Sequence, residues 1–95
     1  MNIKDLIPSE KAVSIVNLFK SEKGIVNVLQ ILKGAKLEEH ISKVPALLVC
    51  VIGEVVFENE NDLKETLQSG DFVKITPKVK HWVKAIKDSQ LILFK

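Results

Sequence analysis

Short apolar stretches alternate with polar turns along the whole chain. Valine, isoleucine and leucine dominate the apolar stretches, and these residue types suit β-strands. Glycine, proline, asparagine, aspartate and serine occupy the gaps, as they do in tight turns. The pattern predicts eight or nine short strands, at residues 12–19, 25–32, 37–42, 46–52, 54–58, 63–67, 72–75, 81–86 and 91–94.

Three segments need separate treatment. Residues 12–19 fit a helical face as well as a strand, and their β-branched content favours the strand. Residues 1–10 are predicted to be irregular or weakly helical, with Ser9 and Glu10 able to cap a short turn. The run at 46–52 is apolar without interruption, which predicts a strand buried on both faces, as in a barrel or a dimer interface.

The predicted class is all-β, a small barrel or sandwich that forms a single domain over residues 1–95. No internal repeat and no long amphipathic helix interrupts the strand pattern. Hydrophobic residues make up 46% of the chain and aromatic residues only 5%, so aliphatic side chains build the core. Small barrels of this size often gain stability by pairing, and we therefore expect a homodimer.

Charge and cysteine content narrow the function classes. The net charge is +2, without the arginine-rich, aromatic-interleaved patch that nucleic-acid binding needs, so no nucleic-acid partner is expected. The lysines at 74, 78, 80, 84 and 87 are predicted to form a solvated face. Cys50 is the only cysteine, which excludes an intramolecular disulfide. Without an apolar leader or spanning segment, a cytoplasmic protein with no membrane contact is expected.

Glycines and histidines recur at a distinctive spacing across residues 34–81. Gly34 precedes His40 by five intervening residues, and Gly53 closes this first frame. Gly70 opens a second frame that ends at His81. The arrangement resembles the two motifs of the cupin superfamily. That resemblance implies a jelly-roll β-barrel in which histidines of both motifs approach one pocket.

The resemblance also implies a divalent transition metal, such as zinc, nickel, iron or manganese, held by three histidines and a glutamate. Here Ser42 stands at the second histidine of the first motif, and Ala46 stands at the glutamate. In the second motif Thr76 and Lys78 replace a proline and a glycine, and Pro77 comes one position late. Of the four ligands that the resemblance implies, only His40 and His81 remain.

Other donors could complete such a site. Glu38, Glu39 and Cys50 are candidates, although Cys50 is expected to be a small core residue. Strand alternation predicts that Glu38 and Ser42 share a face with His40, and the predicted pocket contains Glu38, Ser42 and Ala46. Trp82 follows His81 directly, so its side chain is expected on the opposite face.

Three functions are compatible with these residues. The first is a binding module whose barrel, lined by Ala46, Leu48 and Ile52, holds a small molecule and a weakly bound metal. The alternative is a metal-dependent enzyme of the dioxygenase or isomerase type that uses His40 and His81. The third is a sensor or dimerisation domain. No catalytic residue is assigned by the sequence.

Overall fold

A computed structural model describes residues 1–8 and 10–95, so the predicted Ser9 cap lies outside the described residues. A 3₁₀ turn, Ile3–Asp5, precedes the strands. The strands are β1 (Val13–Ser21), β2 (Gly24–Ile31), β3 (Lys36–His40), β4 (Ala46–Ile52), β5 (Glu54–Asn59), β6 (Lys64–Gln68), β7 (Phe72–Ile75), β8 (His81–Ala85) and β9 (Ser89–Phe94).

The strands form two antiparallel sheets whose facing surfaces enclose the core. The larger sheet has the order β1-β2-β9-β4-β7, and the smaller has the order β3-β8-β5-β6. Aliphatic side chains fill the space between them, around the fully buried Phe57. The all-β prediction is confirmed. Residues 13–19 of the ambiguous segment belong to β1, because a tight turn pairs them with β2.

Strand β4 departs from its predicted environment. Ala46, Leu48 and Cys50 are buried in the core, whereas the residues between them are only half-buried and Ile52 is 57% exposed. The prediction of two buried faces is therefore wrong within one chain. A single copy of the domain covers the inner face of this sheet only, which leaves the outer apolar residues of β4 partly in water.

Gly53 joins β4 to β5 at a point where no other residue fits. Its φ of 98° lies in the left-handed region. A Cβ at this position would collide with the Ser89 Oγ and the Asp88 carbonyl oxygen. The same Ser89 Oγ accepts a hydrogen bond from the Glu54 backbone N–H at 3.0 Å. The absence of a side chain at Gly53 thus lets the start of β9 pack directly against the β4–β5 turn.

The N-terminal segment packs against the outer face of the larger sheet. The Gln30 side-chain amide donates to the Pro8 carbonyl oxygen at 3.1 Å, and Ile7 is buried. Elsewhere on the surface, the five lysines between 74 and 87 are exposed, in agreement with the predicted solvated face. Within residues 1–8 and 10–95, no helix is long and apolar enough to cross a membrane.

Candidate functional site

The two histidines of the chain meet at the edge of the smaller sheet. His40 ends β3 and His81 begins β8, and the two residues are paired across these antiparallel strands. Their Nε2 atoms lie 2.9 Å apart, with the rings edge to face and their centroids separated by 4.1 Å. His81 is only 3% exposed, whereas His40 is exposed to solvent. The pair therefore lies at a barrel mouth, open on the His40 side.

A β-bulge makes this meeting possible. Leu37 is paired with Val83 and His40 with His81, so two residues of β3 lie opposite one residue of β8. Because alternation is interrupted there, Leu37 and His40 both face the interior despite their odd spacing. Strand alternation had placed Glu38 on the His40 face. The bulge, which that argument could not include, moves Glu38 away.

The outer nitrogens of both rings have backbone partners. The His40 Nδ1 lies 3.1 Å from the Glu38 carbonyl oxygen, and the His81 Nδ1 lies 3.3 Å from the Val79 carbonyl oxygen. A carbonyl oxygen only accepts, so each Nδ1 carries the hydrogen. In a neutral ring the Nε2 then presents a lone pair. The two Nε2 atoms at 2.9 Å are within hydrogen-bonding distance, so the rings can share a proton between them.

The surroundings of His81 favour its neutral form. Burial lowers its pKa below the ordinary histidine value, and the charge of His40 lowers it further. The Val79 hydrogen bond opposes this effect, and the Lys95 charge adds a smaller lowering. The ring also stacks on Phe57, with centroids 5.6 Å apart. His81 is thus held as a neutral base in an apolar setting.

The cavity beside the two rings is very small. Its volume is about 10 Å³, which is room for about one water molecule. Its other walls are aliphatic side chains from six strands: Leu29, Leu37, Leu48, Ile75, Val83 and Leu93. The barrel interior is therefore filled, and a larger ligand has space only outside, on the exposed side of His40.

The predicted pocket residues lie apart from the histidine pair. Glu38 points to solvent and forms a 3.9 Å ion pair with Lys36. Ser42 is buried, but its hydroxyl donates to the Val44 carbonyl oxygen at 2.7 Å. Ala46 belongs to the core. The structure does not bring these three residues to the two rings, because the bulge and the end of β3 interrupt the alternation on which the prediction depended.

The remaining candidates have structural surroundings. Cys50 is fully buried, and burial, followed by the charge of Asp71, raises the pKa of its thiol. Trp82 faces away from the histidines, as predicted, and its Nε1 donates to the Glu58 carboxylate at 2.6 Å. Ile52, predicted to line the barrel, lies on the outside. In the part of the chain that the structure describes, no group of three histidine, cysteine or carboxylate residues could hold a metal ion.

The turn before β8, which contains Pro77 of the second motif, has a backbone conformation that the motif spacing did not predict. Lys78 has a φ of 65°, and its backbone N–H donates to the Ser42 carbonyl oxygen at 2.8 Å. This hydrogen bond ties the turn to the segment that follows His40. Lys78 stands at the glycine position of the second motif, and a positive φ is the conformation that favours glycine. The motif therefore marked this position, because a lysine stands where the motif has a glycine. The spacing alone did not show that this lysine keeps the positive φ of a glycine.

No protein-family model matches the sequence, and no curated protein matches it. Solved structures do share its fold. A cupin superfamily protein from Desulfitobacterium hafniense is 17% identical, with 100% of this chain and 87% of that one covered at a TM-score of 0.86. An RmlC-like cupin with a double-stranded β-helix fold from Methanocaldococcus jannaschii is 17% identical, with 94% and 84% covered at 0.79.

KdgF from Halomonas is 19% identical, with 93% of this chain and 82% of that one covered at a TM-score of 0.79. At these identities the likeness concerns the fold. It agrees with the two-sheet topology and with the motif spacing across residues 34–81. The predicted jelly-roll barrel is confirmed: the chain has the fold of the cupin superfamily.

Proposed function

We propose that His40 and His81 together bind one divalent transition metal ion, such as zinc, nickel, iron or manganese. The observation that carries the proposal is the pair of Nε2 atoms 2.9 Å apart, with both Nδ1 atoms on backbone carbonyl oxygens. Metal-binding histidines commonly donate their other ring N–H to a carbonyl or carboxylate, which fixes the ring and the tautomer. Both histidines have this second contact.

The spacing of the pair fits a shared ion. Two imidazole nitrogens at about 2.05 Å from one ion are about 2.9 Å apart when they subtend a right angle, and about 3.3 Å apart at a tetrahedral angle. The observed 2.9 Å matches the first arrangement. The second requires a shift of about 0.4 Å, which the exposed His40 ring can supply.

Two protein ligands leave most coordination positions open. Structural zinc sites use four protein ligands and catalytic sites use three, so a two-histidine site is expected to bind weakly and to exchange its ion. Water or a small ligand at the mouth would complete the coordination. When bound, the ion would supply a Lewis acid to such a ligand. We therefore propose a metal-dependent binding module whose small-molecule ligand docks at the mouth.

Titration of metal-free protein with Zn²⁺ and Ni²⁺ tests the proposal. We expect one ion per chain, with loss of binding in His40→Ala and in His81→Gln. Glu65→Ala is the matched control, because Glu65 is exposed on β6, at the opposite edge of the smaller sheet from His40, and is expected to leave binding unchanged. The ¹⁵N chemical shifts of the two Nε2 atoms should move on metal addition, while the shifts of the two Nδ1 atoms should remain those of a protonated ring nitrogen.

Two results would contradict the proposal. One is the absence of stoichiometric binding by the folded wild-type protein. The other is undiminished binding by both histidine variants, which would place the ion elsewhere on the chain. Because His40 is exposed, His40→Ala is expected to fold, so a loss of binding in this variant reports on the ligand rather than on the fold.

A further inference from the structure

A hollow of about 610 Å³ opens beside the barrel mouth. One wall is the tip of the β1–β2 hairpin together with the residue after β9, and the other wall is the loop between β3 and β4. Its volume lies within the range of small-molecule pockets. We call it the mouth groove; its lining residues are Lys20, Ser21, Glu22, Lys23, Gly24, Ile25, Ile41, Ser42, Lys43, Val44 and Lys95.

The mouth groove and the histidine pocket are lined by neighbouring residues of the same segments. Leu93 lines that pocket, and Lys95 follows two residues later, on the same face of the chain. Lys95 exchanges both backbone hydrogen bonds with Ile25, at 2.7 and 3.0 Å, so the sheet extends into the groove wall. On the other wall, His40 is followed directly by Ile41. The groove therefore begins one residue beyond His40, which does not itself line it.

The charges around the groove are mostly positive. Four lysine side chains and one glutamate line it, which gives a net charge of +3 from side chains. None of these lysines forms an ion pair with the residues at 1–8 or 10–95. Between them lie Ile25, which is half-buried, and Ile41 and Val44, which are 49% and 48% exposed. The surface therefore combines cationic groups with an apolar patch.

We propose that the mouth groove binds a small organic anion, a carboxylate or phosphate ester with a short apolar chain. Lys20, Lys43 and Lys95 would face the acidic group, and Ile41 and Val44 would contact the apolar part. The lysines do not depend on the metal ion, so this site can be tested on metal-free protein. Its failure would thus be distinguishable from failure of the two-histidine metal site.

Hexanoate and hexanamide, which have equal length but differ in charge, are suitable probes. In NMR titrations of metal-free protein, we expect hexanoate to shift the backbone amides of Ile25, Ile41 and Val44 and to bind more tightly than hexanamide. Two unit charges about 4 Å apart in water correspond to about fivefold in affinity, so each of Lys20→Gln, Lys43→Gln and Lys95→Gln should weaken binding by up to about that factor.

Lys74→Gln and Lys84→Gln are the matched controls, since both lysines are exposed and lie outside the groove. They should leave the affinity unchanged. The proposal would be overturned if hexanoate did not bind, or if hexanamide bound equally well. It would also be overturned if a variant carrying Lys20→Gln, Lys43→Gln and Lys95→Gln together kept full affinity, or if the amide shifts were confined to another surface. Methyl phosphate in place of hexanoate would show whether the groove prefers the phosphate or the carboxylate.

A second, independent observation concerns the outer face of the larger sheet. Two apolar rows cross its strands on the side opposite the core. In the first row Phe19 pairs with Val26, Val26 with Phe94, and Phe94 with Leu47. The second row runs through Val16, Val28, Ile92, Val49 and Phe72. The first row ends at Lys74, which pairs with Leu47 on the edge strand β7, and the second row contains no charged residue.

Much of this surface lies in water. Phe19, Phe72 and Phe94 are 62%, 58% and 39% exposed. At roughly 200 Å² for each aromatic side chain, these three leave about 320 Å² of apolar surface in solvent. A stable dimer buries about 800 Å² on each partner, so the three phenylalanines alone supply about two-fifths of that area. The aliphatic residues between them are half-buried, except Val28, which is fully buried within one chain.

We propose that this face packs against the same face of a second copy of the chain. A second copy offers the same apolar rows, and two sheets can stack face to face with their side chains interdigitated. The chain's own N-terminal segment packs near Gln30, where Asn2 and Lys4 line a surface hollow with Ile52, and Val28 of the second row is already fully buried within one chain. The phenylalanine end is left for the partner.

Sedimentation equilibrium tests the dimer. The wild-type protein should have twice the 10.6 kDa mass of one chain, and Phe72→Glu should have the mass of one chain. Ile86→Glu is the matched control, because Ile86 is 40% exposed and follows β8 of the other sheet. A monomeric wild-type protein, or a dimer that persists in folded Phe72→Glu and in folded Phe19→Glu, would overturn the proposal.

Discussion

The His81 ring meets the His40 ring through its Nε2 atom and the Val79 carbonyl oxygen through its Nδ1 atom. Both sides of this buried imidazole are therefore occupied, and its net pKa is lowered chiefly by burial and then by the charge of His40. Burial and the His40 charge make protonation of the ring unfavourable and so leave its Nε2 atom free for a metal ion, whereas the Val79 hydrogen bond opposes this effect. This coupling has a measurable consequence for stability.

Metal-free protein should lose stability as the pH falls below the ordinary histidine pKa of about 6.5. With a folded-state pKa below that value, the unfolded chain binds more protons in the interval between the two pKa values. The contribution of His81 is therefore fully present above about pH 6.5 and is lost as the pH falls through the folded pKa. Urea unfolding at a series of pH values measures this slope, which should flatten in His81→Gln. An equal slope in this variant would assign the effect to other groups.

Gly53→Ala should be strongly destabilising, by more than about 3 kcal/mol, because the new Cβ would combine a left-handed backbone with a collision against Ser89 and the Asp88 carbonyl oxygen. Gly70→Ala is the control. Gly70 has a φ of 91° but nothing within 4 Å of its Cβ position, so only the conformational cost of about 1–2 kcal/mol applies. Chemical unfolding of both variants provides the comparison. Equal losses would mean that the close approach of β9 adds nothing.

Lys78→Gly should stabilise the protein by about 0.5–1 kcal/mol. The substitution removes the cost of a left-handed conformation at a residue with a Cβ, and it adds the smaller entropy cost of a glycine in the unfolded chain. Its backbone N–H can still donate to the Ser42 carbonyl oxygen. Lys80→Gly, two residues away and also exposed, removes a lysine without that relief. A higher urea midpoint for Lys78→Gly than for Lys80→Gly is the expected result.

The Cys50 thiol should react slowly in the folded protein. It is fully buried, and burial together with the Asp71 charge raises its pKa, which lowers the fraction of the reactive thiolate. We expect its reaction with a disulfide reagent near neutral pH to be at least about tenfold slower than in urea-unfolded protein. The rate should rise with pH. A folded-state rate equal to the unfolded rate would show that the thiol is accessible.

The periodic part of the structure was predictable from the sequence. Turn residues and apolar runs located the nine strands, and the spacing of Gly34, His40, Gly53, Gly70 and His81 predicted a shared histidine pocket. The motif glycines carry information because their backbones need positive φ. Gly34, Gly53 and Gly70 all have it, and Lys78 has it at the fourth glycine position. The conformation is kept there even though the residue type is not.

The immediate surroundings of the pair were not predictable. Alternation assigned Glu38 to the His40 face, and only the pairing of β3 with β8 shows the bulge that separates them. The filled cavity depends on how side chains from both sheets fit together, a property of volume that no single-strand pattern contains. Likewise, the mouth groove joins Lys20, Lys43 and Lys95, which are distant in sequence and meet only through the sheet topology.

The bulge opposite Trp82 decides which residue of β3 lies opposite His81. If β3 kept its length and paired with β8 without the bulge, Glu39 would lie opposite His81 and His40 would turn toward solvent, while every ligand type remained in the sequence. A chain of this fold could therefore gain or lose its histidine pair through strand pairing alone. Counting conserved ligands in related sequences would miss such an event, whereas comparing the pairing of β3 with β8 would reveal it.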